Sequence, residues 1–279
     1  MSETVERVRV APITPAIGAA IEGVDLRAPL APQTVRAIRQ ALLDRGVIVF
    51  RDQPVTEAEL EAFVAHFGQP ITEPSNATYG GDPNAPAVAT VESHLQSKAV
   101  AERWHADATW LAEPPMATAL KMVAIPPVGG DTCWTNAAAA YDALIPPLRE
   151  AIDQLTAIHW MIPSLEAMDL PAQDDRIQHV HPVVTVHPET GRRVIYVSEG
   201  WTRKIVELPA SQSVHLLALL YDHLKSPMFS MRWRWAANDV VIWDNRTVQH
   251  FAVPDYERGR VYSRVVLQGQ RPVGPGRKA

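Results

Sequence analysis

Proline neither continues a helix nor pairs in the middle of a sheet. A chain with 24 prolines spread through 279 residues therefore favours many short elements joined by fixed turns. Between those breaks lie short apolar, β-branched runs. Gly46–Phe50 (GVIVF) and Val240–Trp243 read as strands buried on both faces. Met116–Ile125 and Gly130–Trp134 read as strands around the turn Pro126–Gly129, and Val183–His187 and Val194–Val197 flank HPETGR, a hairpin turn. Met231–Trp235 alternates between apolar and charged residues, and Val261–Leu267 closes the set. Helical spacing appears at Pro32–Arg45 (Val35, Ile38, Leu42, Leu43) and at Ser211–Leu224. Thr56 and Glu59 form a capping box for a helix through Phe67, and Asn136–Leu155 is helical but broken near Pro146-Pro147. Gly80-Gly81-Asp82-Pro83 marks a loop. The fold class that follows is mainly β with flanking helices, strand-rich in its C-terminal two thirds, of the sandwich or jelly-roll kind.

Composition narrows the function. With 47% hydrophobic and 20% charged residues the chain is ordinary for a soluble globular protein. A formal net charge of −5 with scattered basic residues leaves no footprint for nucleic acid. The single cysteine, Cys133, excludes an intrachain disulfide and a multi-cysteine zinc site. The first residues, MSETVERVRV, carry no secretion signal, and no apolar run reaches the roughly 18 residues of a membrane span. These features predict a cytoplasmic protein with no membrane partner.

Ten histidines are present, and spacing chooses among them. His105-Ala106-Asp107 sets an imidazole and a carboxylate two residues apart, on one side of a strand or extended loop. A third ligand from elsewhere would complete a facial set of two histidines and one carboxylate, which leaves the opposite side of a ferrous ion open. His250, beyond Val240–Trp243 and the turn-like Asn245-Arg246, is the candidate. Taken alone, a histidine two before an aspartate also describes a surface loop. Arg260 and Arg264 follow His250 by 10 and 14 residues and share a face if their strand is unbroken. A dicarboxylate that chelates iron at one end needs a cation at the other, and the planar fork of arginine suits a carboxylate. The alternative is a solvated basic edge, which is how Arg258, between Glu257 and Gly259, is read.

Longer motifs run in order along the chain: Ile17-Gly18-Ala19 with Gly23-Val24-Asp25-Leu26, Val49-Phe50-Arg51-Asp52-Gln53, and Trp104-His105-Ala106-Asp107. Gly129-Gly130-Asp131-Thr132, Tyr196-Val197-Ser198-Glu199-Gly200 and Arg232-Trp233-Arg234-Trp235 follow, then Trp243-Asp244-Asn245-Arg246 leading to Gln249-His250. In these motifs the chain resembles the TauD/TfdA family of taurine-dioxygenase-like enzymes over nearly its whole length. The resemblance implies a single domain over 1–279 with a double-stranded β-helix (jelly roll). It implies a dioxygenase that uses Fe(II), with 2-oxoglutarate and O2 as co-substrates, to hydroxylate a C–H bond while releasing succinate and CO2. His105, Asp107 and His250 match the iron ligands, Thr132 and Arg260 the residues that hold the distal carboxylate of 2-oxoglutarate, and Arg264 a second arginine near the chelating carboxylate. Halogenating relatives lack the carboxylate ligand, so Asp107 points to hydroxylation.

For the substrate, Trp110 and Trp201 match family positions close to the bound molecule, whereas Trp233, Trp235 and Trp243 read as core. Where taurine-oxidising members carry a histidine, a tyrosine and an asparagine, this chain has Glu73, Asn76 and Ala101. A carboxylate beside a sulfonate is repulsive, which argues against taurine itself. Arg264 still favours a small anionic substrate: an alkyl sulfonate, an alkyl sulfate or a carboxylate. The family also implies a homo-oligomer, a dimer or tetramer. Two other classes stay open on sequence alone, a catalytically silent jelly-roll binding protein and a zinc-dependent hydrolase with the same ligands.

Overall fold

The structure, a computed structural model, describes residues 8–72, 86–93, 103–161, 178–257 and 259–276. In chain order its elements are β1 (Arg9–Pro12), β2 (Ala19–Glu22), α1 (Pro32–Arg45), β3 (Val47–Phe50), α2 (Glu57–Val64), β4 (Pro70–Ile71), β5 (Val88–Ser93), β6 (Ala117–Ala124) and β7 (Thr132–Asn136). There follow α3 (Ala137–Ala143), α4 (Pro146–Ile152), β8 (Thr156–Trp160), β9 (Gln178–Pro182), β10 (Val184–Val186), β11 (Arg193–Ile195) and β12 (Thr202–Ile205). The last are α5 (Ala210–Leu224), β13 (Ser230–Trp233), β14 (Val240–Asp244), β15 (Val248–Ala252) and β16 (Arg260–Leu267).

An eight-stranded sheet runs β1-β2-β3-β14-β6-β16-β4, with β5 also pairing β16. Three-stranded sheets β13-β7-β15 and β12-β8-β9 and the hairpin β10-β11 complete the set. Period-two alternation explains why the large sheet is apolar on both sides. Ile48, Phe50, Ala117, Ala119, Val240, Ile242, Val265 and Leu267 face α1 and α2, where they meet Ile38, Leu42, Leu60 and Phe63. The intervening residues Val47, Val49, Leu120, Met122, Val241 and Trp243 point the other way, into a second core with Trp134, Met231 and Trp233 of the β13-β7-β15 sheet. Full burial of each valine, leucine, isoleucine, phenylalanine or methionine side chain among them contributes about 1.5–3 kcal/mol. β3, β6 and β14 at the centre of the large sheet therefore each present one row to the helices and one to the neighbouring sheet.

Most differences from the sequence expectation have local causes. The capping box at Thr56 forms, with Thr56 Oγ1 accepting from the Glu59 amide at 3.2 Å and the Glu59 carboxylate accepting from the Thr56 amide at 2.7 Å, but α2 ends at Val64 rather than Phe67. The proline pair splits the expected helix cleanly into α3 and α4, because Pro146 begins a new first turn. The strand expected at Gly130–Trp134 lies over Thr132–Asn136, since Gly129 and Gly130 both have positive φ and belong to the turn. α1 stops at Gly46, whose φ of +70° and amide bond to Leu42 O at 2.7 Å make a left-handed cap; a Cβ there would come within 2.6 Å of Val248. The Gly80–Pro83 loop and Arg258 lie outside the described residues.

Candidate metal centre and co-substrate cavity

Two separate stretches of chain bring the ligand candidates together. His105, ahead of β6, and His250, on β15, form an isolated antiparallel bridge: the His105 amide donates to His250 O at 3.0 Å and the His250 amide to His105 O at 2.7 Å. Their rings lie 4.2 Å apart, centroid to centroid. Asp107, two residues on, points the same way, and Ala108 then turns the chain with a φ of +47° that a side chain rarely adopts. His105 Nε2 and His250 Nε2 lie 4.0 and 3.7 Å from Asp107 Oδ1, and one ligand atom from each of the three residues falls within 4.8 Å of the others. All three side chains are buried, and together they could hold a metal ion.

The electrostatics suit that role. His105 Nδ1 donates to Arg103 O at 2.7 Å, which leaves the lone pair on Nε2, facing Asp107. Burial, then the neighbouring His105 ring, pushes His250 down to about 3, and burial also lowers His105, so both imidazoles are neutral. Burial alone would raise Asp107. The Arg264 guanidinium, 2.8 Å from Oδ1, outweighs it with the help of a hydrogen bond from Thr118, and holds the carboxyl below the usual carboxylate range.

A cavity of about 100 Å³ opens at this cluster, and Thr132, Arg260 and Arg264 line it together with the three ligand candidates. Thr132 begins β7, where it accepts from Arg260 Nη2 at 3.1 Å and from Trp235 Nε1 at 3.0 Å. Arg260 is 4% exposed, its Nε has no hydrogen-bond partner, and among the described residues no carboxylate lies within ion-pair distance of it. A buried guanidinium without a counter-ion is a site prepared for an anion. The spacing of the two arginines works because the register shift between β16 and β6 places its extra residue at Val123 of β6, leaving the alternation of β16 intact.

Leu120, Trp243 and Tyr262 wall the cavity. Trp243 is thus both core and lining, 1% exposed and 4.8 Å from the His250 ring, where the sequence reads only core. Trp110 and Trp201 do not line this cavity: they pack with Ala108 and Met161 in a separate cluster, Trp201 edge-on to His105 at 5.8 Å and donating to Ala106 O at 2.9 Å. Glu73, Asn76 and Ala101 lie outside the described residues. Sequence reasoning passes over Thr118 and Asn245, which bond to Asp107; the order Trp243-Asp244-Asn245-Arg246 is the signal that could have drawn attention to the second.

Residues 9–268 match the family described as Taurine catabolism dioxygenase TauD, TfdA family. The chain belongs to this family. Among TauD/TfdA relatives, an alpha-ketoglutarate-dependent sulfate ester dioxygenase of Pseudomonas putida is 38% identical, over 95% of this chain and 91% of its own. An alkylsulfatase of Acinetobacter baylyi is 34% identical, over 96% and 87%. A crystal structure of a taurine dioxygenase from Burkholderia xenovorans superposes with a TM-score of 0.83 at 39% identity, covering 97% of this chain and 92% of that one. The protein is accordingly a 2-oxoglutarate-dependent dioxygenase of the TauD/TfdA family, which uses Fe(II), 2-oxoglutarate and O2. Among the described residues no helix is long and apolar enough to cross a membrane.

Proposed function

We propose that His105, Asp107 and His250 hold Fe(II), that Arg260 and Thr132 bind the distal carboxylate of 2-oxoglutarate, and that Arg264 serves the carboxylate end nearer the metal. The observation that carries this reading is the convergence of two neutral imidazoles and one ionised carboxylate in the same small cavity as a buried guanidinium with no acid of its own among the described residues. Two nitrogens and one oxygen are the donor set of a non-haem ferrous site with open positions. The metal and 2-oxoglutarate, when bound, supply the oxidation: O2 is consumed, succinate and CO2 leave, and one oxygen atom enters a substrate C–H bond.

The chain's own residues do the rest. The bond from His105 Nδ1 to Arg103 O fixes which nitrogen faces the centre, and Arg264 keeps Asp107 ionised. Leu120, Trp243 and Tyr262 would wall the space beside the reacting atoms. The tryptophan-rich core shared by the large sheet and β13-β7-β15 supports reading the two as the halves of a double-stranded β-helix, with the whole chain 1–279 as one domain. A homo-oligomer in the reducing cytoplasm accompanies this reading; light scattering measures the mass.

For the substrate we propose an alkyl sulfate ester, the class that the names of two of the relatives point to, with the sulfate as the anionic group. Hydroxylation of the carbon that bears the ester gives a product that expels sulfate and leaves an aldehyde. The test is a panel of an alkyl sulfate, a longer alkyl sulfonate, taurine and an aryloxy acid, scored by O2 uptake, succinate and sulfate. The alkyl sulfate should give all three. Sulfate release without O2 uptake would instead mean a zinc-type hydrolase, and bound 2-oxoglutarate with no turnover on any compound a silent binding protein.

A further inference from the structure

Asp107 has two oxygens, and the structure treats them differently. Oδ1 faces His105, His250 and Arg264, while Oδ2 accepts a 2.7 Å hydrogen bond from Thr118 Oγ1. Behind Thr118 stands a chain of buried polar groups with a fixed direction. Asn245 Nδ2 donates to Thr118 Oγ1 at 3.0 Å, and Trp243 Nε1 donates to Asn245 Oδ1 at 2.9 Å. The Asp107 amide donates to the same Asn245 oxygen at 3.3 Å. Thr118, Trp243 and Asn245 are 0%, 1% and 3% exposed, so water does not compete.

The order of donors leaves no freedom. An indole N–H only donates, and so does a main-chain amide. Both meet one atom of the Asn245 side chain, which must therefore be its oxygen, and the amide nitrogen must face Thr118. A hydroxyl has a single proton. Because Thr118 already accepts from Asn245, that proton goes to Asp107 Oδ2.

We infer that Thr118, oriented by Asn245 and Trp243, is a positioning residue that occupies Asp107 Oδ2 and so makes Asp107 a one-oxygen ligand. Held in this way, the carboxylate would offer a bound metal Oδ1 alone and would be kept from rotating, which would leave room for 2-oxoglutarate and O2. The three residues lie on different elements, Thr118 on β6, Trp243 on the neighbouring β14 directly opposite it, and Asn245 just beyond β14, so the sheet register itself aligns the chain of bonds.

This inference rests on the ligand assignment proposed above, and the experiment separates the two. Co(II) is titrated anaerobically into the metal-stripped full chain and followed by its visible absorption, which reports both affinity and coordination number. Asp107→Ala should abolish binding; wild-type-like binding by that variant would sink the ligand assignment itself. With the assignment standing, Thr118→Val should weaken Co(II) binding by about 10- to 100-fold, the usual effect of losing a hydrogen bond to a ligand, and change the spectrum. Thr118→Ser, which keeps the hydroxyl, should restore both. Thr118→Ala repeats the measurement if the valine variant does not fold. Asn245→Ala should also weaken binding, and its effect combined with Thr118→Val should fall short of the product of the two, because they act on one oxygen. Affinity and spectrum unchanged in Thr118→Val, or strictly multiplicative effects in the double variant, would overturn the relay.

Discussion

Replacing Arg260 by methionine tests the co-substrate site in both directions at once. The side chain is 4% exposed, makes one hydrogen bond to Thr132, and meets no carboxylate among the described residues. In the cofactor-free chain the substitution removes that bond, worth about 1 kcal/mol, and also removes a desolvated charge, so the two changes oppose each other. Stability in urea should stay level or rise. On the proposed assignment 2-oxoglutarate loses a bidentate, charge-assisted contact instead. At about 1.5 kcal/mol for each of two bonds the loss is about 3 kcal/mol, or about 100-fold in Kd. Calorimetric titration of 2-oxoglutarate into the Mn(II)-loaded chain, beside urea unfolding of the metal-free chain, reads both quantities. An unchanged Kd with a lower urea midpoint would refute the assignment, since Arg260 would then be a structural cation.

Three further outcomes follow from the geometry. His105→Ala, Asp107→Ala and His250→Ala should each end substrate-dependent succinate formation while leaving the far-ultraviolet circular dichroism intact; normal turnover by any of them removes that residue from the ligand set. A Cβ at Gly200 would come within 2.9 Å of the His105 Cβ, so Gly200→Ala should push His105 off its position and weaken Co(II) binding by about tenfold or more, a change that titration would detect or exclude. Burial holds His181 at about 4 against an ordinary 6.5, and lowers His159 in the same direction. Between those values the unfolded chain takes up the proton and the folded one does not, so stability present above pH 6.5 declines as the pH falls, by about 3 kcal/mol at pH 4 from His181. His181→Gln should flatten the dependence of the urea midpoint over that range, and parallel curves for the two proteins would contradict it.

Much of the site is legible in the sequence because its spacing is local. His105 and Asp107 need only a two-residue repeat, and Arg260 and Arg264 only an unbroken strand. The run GVIVF announces a strand buried on both faces, and the two cores on either side of β3 bear that out. β8 and β9 escape the same reasoning. Their buried positions include His159 and His181, which a search for apolar alternation counts as breaks, although each is satisfied by Thr109 Oγ1 or Leu111 O. Thr118 and Asn245 escape for another reason: they meet each other and Asp107 only after strands distant in sequence are laid side by side, so no spacing carries the message. Trp110 and Trp201 are a different case: the resemblance puts them near the substrate, and they pack together beside His105 rather than on the wall of the cavity that holds Arg260.

The paired main-chain bonds between His105 and His250 tie together residues separated by more than half of the chain's length. Closing so long a loop belongs to the slow, non-local part of folding. Until that rung forms, the two imidazoles are strangers, and of the three residues proposed to hold iron only the local pair His105 and Asp107 are neighbours. On the proposed ligand set, a ribosome-bound or half-folded copy therefore has no competent centre with which to activate oxygen, and the capacity for oxidation arrives only with the finished fold.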